Sequence, residues 1–240
     1  MEAALYLIPV TLGDTEYSRV LPEYNLSVIR GIRFFIAENI KSAKRFLAKI
    51  EGSHVDDAEY VELSEHTDTK QIHDYLKPLE RGEPMGLLSE AGCPAVADPG
   101  ADIVAIAQKK NLRVVPLVGP SSMIMAVMAS GLCGQSFAFN GYLPVKPAER
   151  AEKLRQLEAR ARKERQTQLF IETPYRNAQM FDSILRACSP DTMLCVAAGI
   201  TTELEYIKTK AVAQWKKEGL PVLPSPIPYC RGKFHPYPGS

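Results

Sequence analysis

Two carboxylates, Glu90 and Asp98, stand in the stretch Leu-Leu-Ser-Glu-Ala-Gly-Cys-Pro-Ala-Val-Ala-Asp-Pro-Gly at 87–100, which contains no Lys, Arg or His. A segment without cations is poorly suited to gripping phosphate through charge. It suits a neutral or cationic ligand held by main-chain groups. The apolar run 85–88 stops abruptly in small residues and two X-Pro steps, so a strand is expected to deliver an irregular loop that a ligand can approach closely. Asp98, ahead of Pro-Gly, is expected to bond its own backbone in a turn. Cys93 has no neighbour that would activate a thiolate, so it reads as a small contact residue and not a nucleophile.

The elements around this loop alternate. Apolar runs at 5–10, 28–37, 60–63, 85–88 and 112–118 read as strands, and the spacing predicts helices over 42–50, 69–81 and 101–110. Strand–helix–strand order implies an α/β fold with a largely parallel sheet, whose ligands lie beyond the carboxyl ends of the strands. Leu12-Gly13-Asp14, the 87–100 loop and Ser121-Ser122 all follow such ends. Ser is also a good N-cap for a helix over 123–130. The second half repeats the alternation: helices over 149–165 and 177–188, and strands over 168–172, 193–198 and 203–208. A hinge at 118–120 would give two α/β lobes, 1–118 and 119–240, with a cleft between them. The tail 221–240 holds six of the 18 prolines, which argues for an edge or surface path and against internal sheet.

With 240 residues, 45% hydrophobic and 24% charged, the chain has the make-up of an ordinary globular protein. Its longest apolar stretch, 123–129, falls short of the roughly 18 residues a membrane span needs. The N-terminus lacks a basic leader region, so a cytoplasmic location without membrane contact is expected. Five cysteines without a CxxC pair or a histidine at zinc spacing argue against a disulfide framework and against a metal. A net charge of +1 gives no global nucleic-acid footprint. The segment 146–165 is locally basic, and Arg150, Lys153 and Arg155 are its candidate phosphate contacts.

Seven elements then occur in order: Leu5-Tyr6-Leu7-Ile8-Pro9 with Leu12-Gly13-Asp14; Ala37-Glu38-Asn39; Ser64-Glu65-His66; 89–100; Val114-Val115-Pro116-Leu117 with Gly119-Pro120; Phe170-Ile171-Glu172-Thr173 with Arg176; and Thr201-Thr202 with Glu205. In these the chain resembles the tetrapyrrole methylase superfamily of S-adenosylmethionine-dependent methyltransferases. Within it, the chain is most similar to the bacterial branch that methylates a cytidine 2′-hydroxyl of small-subunit ribosomal RNA. The resemblance covers residues 4 to about 217. It implies two α/β lobes with the donor in the cleft, a homodimer, and no metal. Carried over by position, the donor contacts are Leu12, Ala91, Gly92, Cys93, Val96, Ser121, Ser122, Met123, Glu172 and Ala197.

The chain departs from that branch where an Arg-Glu pair is usual, since it has Ala198 and Gly199, and it keeps one histidine of a usual pair, in Ser64-Glu65-His66. Methyl transfer from a sulfonium is an in-line displacement governed by alignment, and a ribose hydroxyl must also lose its proton. Glu38, Glu65 and His66 are therefore expected near the acceptor. Two rival readings keep the donor site: a methyltransferase acting on a small molecule such as a tetrapyrrole, and a catalytically weak protein that binds S-adenosylmethionine.

Overall fold

Five parallel strands form the first sheet: β1 (Leu5–Ile8), β2 (Phe34–Ala37), β3 (Glu59–Glu62), β4 (Met85–Leu88) and β5 (Val114–Pro116), in the order β3-β2-β4-β1-β5. The computed structural model describes residues 1–64, 67, 72–219 and 227–232. The chain divides into two units, Met1–Ser121 and Ser122–Ser240.

In unit 1 the sheet is covered on both faces, which is why β1 and β4 are nearly continuous apolar runs. Tyr6, Ile8, Phe35 and Leu88 point to one face and pack with Leu26 and Ile29 of α1 (Glu23–Arg30) and Ala43 and Leu47 of α2 (Ile40–Leu47). Leu5, Ile36, Met85 and Leu87 point to the other and meet Leu79 of α3 (Lys77–Glu80) and Ile103 and Ala107 of α4 (Gly100–Lys109).

Two expectations change here. The apolar stretch 28–37 is not one strand, because Val28 and Ile29 complete α1 and Gly31 caps it before β2 begins. Of the helix expected over 69–81, residues 69–71 lie outside the described residues; Ile72 is helical, and a 3₁₀ turn, His73–Leu76, separates it from α3. Pro78 lacks the N–H that would carry one α ladder through both.

Unit 2 holds a mixed sheet of β6 (Phe137–Tyr142), β7 (Thr167–Glu172), β8 (Met193–Ala198), β9 (Tyr206–Ala211) and β10 (Ile227–Gly232), ordered β6-β7-β10-β8-β9. One face packs on α6 (Pro147–Glu164), α7 (Asn177–Ala187) and α8 (Val212–Glu218), around Phe170, Phe181 and the fully buried Trp215. Trp215 donates its indole N–H to Leu194 O at 3.0 Å. Helix α5 (Ser122–Ser130) packs beside β8, β9 and β10. The strand expected at 203–208 begins at Tyr206, because Thr201–Glu205 forms a turn in which Thr202 Oγ1 donates to Gly199 O at 2.6 Å and Thr201 N to Glu205 Oε2 at 2.9 Å.

The largest correction falls on residues 227–232, the part of the tail 221–240 that lies within the described residues. β10 lies at the centre of the second sheet, antiparallel to both β7 and β8. Its proline is tolerated because Pro228 falls in the β7 register only, the ladder to β8 starting at Tyr229.

Arg150 is also reassigned. It is 4% exposed, donating Nε to Ser183 Oγ at 2.9 Å and Nη1 to Val145 O at 2.9 Å, so it ties α6 to α7 and cannot face a phosphate.

Candidate functional site

The loop after β4 is held by its own main chain. Ser89 Oγ donates to Gly92 O at 3.2 Å, and Gly92 O also accepts from Val10 N at 3.0 Å, so the β4 loop and the turn after β1 are joined by an isolated antiparallel bridge. Gly92 has φ +74°, and a Cβ there would lie 2.9 Å from Leu12 Cδ2 and 3.1 Å from Pro120 O. Only glycine fits. The Cys93 thiol sits 3.4 Å from Pro120 O, and burial pushes its pKa up, which disfavours a thiolate.

Two further residues, Ala95 (φ +64°) and Ala97 (φ +61°), take the left-handed conformation that costs an L-residue about 1–2 kcal/mol. The Asp98 side chain holds that geometry, its Oδ1 accepting from Ala95 N at 2.9 Å and Gly100 N at 2.7 Å. Burial raises the Asp98 pKa, partly opposed by these two backbone hydrogen bonds. It is a turn-shaping residue, as its place before Pro-Gly suggested. Ala91 and Val96 project from the loop, both exposed. The turn after β5 closes the same end of the sheet. Asn25, 1% exposed, donates to Val118 O at 2.7 Å, and a Cβ on Gly119 would stand 2.2 Å from Pro9 Cγ.

Beside these loops lies a cavity of about 440 Å³. Val10, Thr11, Leu12 and Asp14 line it from the β1 turn, Ser89 and Glu90 from the β4 loop, and Ser42, Arg45, Phe46 and Lys49 from α2 and the turn that closes it. Helix α2 is started by Asn39, whose Oδ1 accepts from Ser42 N at 3.1 Å. Ser42 Oγ then reaches Glu90 Oε2 at 3.4 Å. The cavity volume lies within the range of about 300–1,000 Å³ usual for small-molecule sites.

Of the acceptor-side residues expected from sequence, Glu38 is half-buried in the bend between β2 and α2. Glu65 and His66 lie outside the described residues. Asp14 and Glu90 belong to the two strand-end segments already expected to face a ligand, whereas Ser42, Arg45 and Lys49 had not been singled out. The sequence signal of those three is modest: polar positions between the apolar ones of α2.

Ser121 ends unit 1, half-buried, and Ser122 and Met123 open α5 in unit 2. Glu172, at the end of β7, is 1% exposed. Its Oε1 accepts from Thr173 N at 2.8 Å, and its Oε2 is 3.0 Å from Arg176 Nη2, an ionic contact outside hydrogen-bond geometry. Ala197 is fully buried in β8, in register with Ile207. Ala198, where an Arg was expected, is part of the unit 2 core. Among the described residues no group of three or more His, Cys, Asp or Glu could hold a metal, and no helix is long and apolar enough to cross a membrane.

Similarity to known proteins fits this geometry. The chain is 28% identical over 220 residues to the ribosomal RNA small subunit methyltransferase I of Buchnera aphidicola subsp. Schizaphis graminum, covering 89% of this chain and 72% of that protein. It is 27% identical over 220 residues to the protein of the same name from Escherichia coli O157:H7, covering 90% and 73%. Its fold matches the crystal structure of the methyltransferase CobJ (TM-score 0.62, 13% identity, 96% of this chain and 94% of that one). It also matches uroporphyrin-III C-methyltransferase from Thermus thermophilus complexed with S-adenosylhomocysteine (TM-score 0.57, 16% identity, 96% and 98%). The family model described as Tetrapyrrole (Corrin/Porphyrin) Methylases matches residues 5–214, and this chain belongs to that family.

Proposed function

We propose that this protein is an S-adenosylmethionine-dependent methyltransferase acting on a ribose 2′-hydroxyl of ribosomal RNA. The observation that carries the reading is the β4 loop, pinned to the β1 turn through Gly92 and shaped by Asp98. It offers small side chains, main-chain groups and the carboxylate of Glu90, with no cation of its own. Those features fit a donor that is cationic at its reacting sulfur. Leu12, Ala91, Gly92, Cys93 and Val96 would hold the donor in unit 1. Ser121, Ser122, Met123, Glu172 and Ala197 are added by the family resemblance.

Bound there, S-adenosylmethionine would supply an activated methyl group, taken by the acceptor oxygen as the carbon–sulfur bond breaks and its electron pair leaves on sulfur. The hydroxyl proton would pass to a nearby base, for which Glu38, Glu65 and His66 are the proposed candidates. Rigid loops serve such a displacement, because most of its acceleration comes from alignment. The acceptor assignment is supported by the names of the relatives that align over most of the chain.

The same reading includes a cytoplasmic homodimer. Exposed apolar side chains support the dimer: Phe137, Phe139 and Tyr142 on the edge strand β6, with Met128 on α5 76% exposed. A sedimentation mass of one chain would remove that element.

The deciding experiment is transfer of labelled methyl from S-adenosylmethionine to small-subunit ribosomal RNA from a strain lacking the protein, with the product mapped by mass spectrometry. A single 2′-O-methylated nucleotide absent from the deletion strain is expected. Donor binding by calorimetry without label in RNA would overturn the acceptor assignment, and no donor binding would overturn the whole reading.

A further inference from the structure

The cations of α2 are used by nothing described so far. From Ile40 to Lys49, four of them (Lys41, Lys44, Arg45 and Lys49) occur without one carboxylate. At about 1.5 Å rise per residue, Lys41 and Arg45 stand about 6 Å apart along one side of α2, and Lys49 follows in the turn that closes the helix. Helix α6 has more basic residues, yet they are largely compensated. Lys146 pairs with Glu149, Arg155 with Glu152, Arg160 with Glu164 and Arg162 with Asp191, while Arg150 is buried.

On α2 the situation is reversed. Lys44 lies over the Tyr60 ring at 4.8 Å. Lys49 reaches Asp14 at 3.7 Å between two exposed side chains, a contact that contributes little. Lys41 and Arg45 have no partner among the described residues.

Arg45 and Lys49 also line the cavity, together with Thr11, Leu12, Asp14 and Glu90. The helix therefore brings cations to it, and the strand-end loops bring two carboxylates, Glu90 and Asp14, the second of which Lys49 reaches. A ribose-phosphate unit has the matching polarity, with an anionic phosphate at one end and donating hydroxyls at the other.

We propose that α2 is the acceptor-phosphate subsite: one nucleotide of the RNA strand enters the cavity, and Lys41, Arg45 and Lys49 hold its phosphate and those flanking it. The proposal rests on the ribosomal-RNA reading above, and places the backbone contacts on α2 and not on the more basic α6.

The test is fluorescence anisotropy of the full chain with fluorescein-labelled small-subunit ribosomal RNA transcribed in vitro, titrated at several salt concentrations. Arg45→Ala and Lys49→Ala should each weaken binding roughly fivefold. Each should also make the log-affinity against log-salt slope shallower by about 0.7, as expected for one lost contact to a single strand. Arg45→Lys should keep the slope, and Lys153→Ala/Lys163→Ala on α6 should leave both quantities unchanged. The melting temperature by differential scanning calorimetry should be the same in all variants, which controls for folding. If wild type binds and Arg45→Ala/Lys49→Ala binds equally well with the same slope, the α2 subsite is overturned while the RNA reading stands. If wild type shows no salt-dependent RNA binding, the RNA reading itself fails.

Discussion

Replacing Gly92 by Ala tests whether the β4 loop is built as described. The residue has φ +74°, so an L-side chain incurs about 1–2 kcal/mol of backbone strain. The new Cβ would also stand 2.9 Å from Leu12 Cδ2, which can swing aside, and 3.1 Å from Pro120 O, which belongs to a main-chain turn already crowded by Pro9 against Gly119. Overpacking of that kind costs about 1–3 kcal/mol. The sum is about 2–5 kcal/mol, or roughly 5–15 °C in Tm for a chain of this size.

Gly82 provides the control. Its φ is +88°, but a Cβ there meets nothing within 4 Å, so Gly82→Ala should show the strain alone, about 1–2 kcal/mol. Differential scanning calorimetry measures both, and isothermal calorimetry with S-adenosylhomocysteine measures the consequence for the donor. Displacing Gly92 breaks the Val10 N to Gly92 O hydrogen bond, and at least about tenfold weaker binding is expected for Gly92→Ala against none for Gly82→Ala. Equal melting shifts with unchanged donor binding in both variants would refute the account of the loop.

Arg150→Ala should destabilise by about 2–3 kcal/mol through loss of charge-assisted bonds to Ser183 and Val145, seen as a lower urea midpoint, with no change in the salt slope of RNA binding. Glu172→Ala leaves Arg176 largely buried without its carboxylate and should cost about 3 kcal/mol, read by thermal denaturation. Asp98 has a folded pKa above its ordinary value, so across that window the folded state binds more protons than the unfolded one and stability from this group is lost as pH rises. Asp98→Asn keeps an acceptor at Oδ1 and removes the titration; its Tm relative to wild type should therefore climb from pH 4 to pH 7, and a relative fall would contradict the assignment.

Much of unit 1 was legible because its strands are apolar runs cut off by Pro, Gly or small polar residues, and β1, β4 and the 87–100 loop emerged directly. The family followed from the order of seven short elements, and the match over 5–214 agrees with it. What was not legible depended on distant partners. β6 was missed because Asn140-Gly141 interrupts its pattern, Gly141 having φ +61° within a register shift. Prolines made β10 read as edge or surface, since no local rule reveals that β7 and β8 leave a gap between them. The place of the α2 cations beside a cavity was not legible either, because it depends on parallel pairing of β1, β2 and β4, which brings the following turns and helix together. Arg150 looked like a surface cation because its anchors, Ser183 and Val145, come from other segments.

The place of β10 bears on how the chain matures. Every strand of the first sheet lies between Leu5 and Pro116, so unit 1 can complete its hydrogen-bond ladder while the rest is still being synthesised. The second sheet cannot, because residues 227–232 must enter between two strands made some 30 to 60 residues earlier. Until they arrive, β7 and β8 each present an unpaired inner edge, the kind of surface that recruits other chains. A nascent chain halted before residue 227 would thus carry a finished first unit and an adhesive second one, and limited proteolysis of such chains should leave a resistant core ending near Ser121.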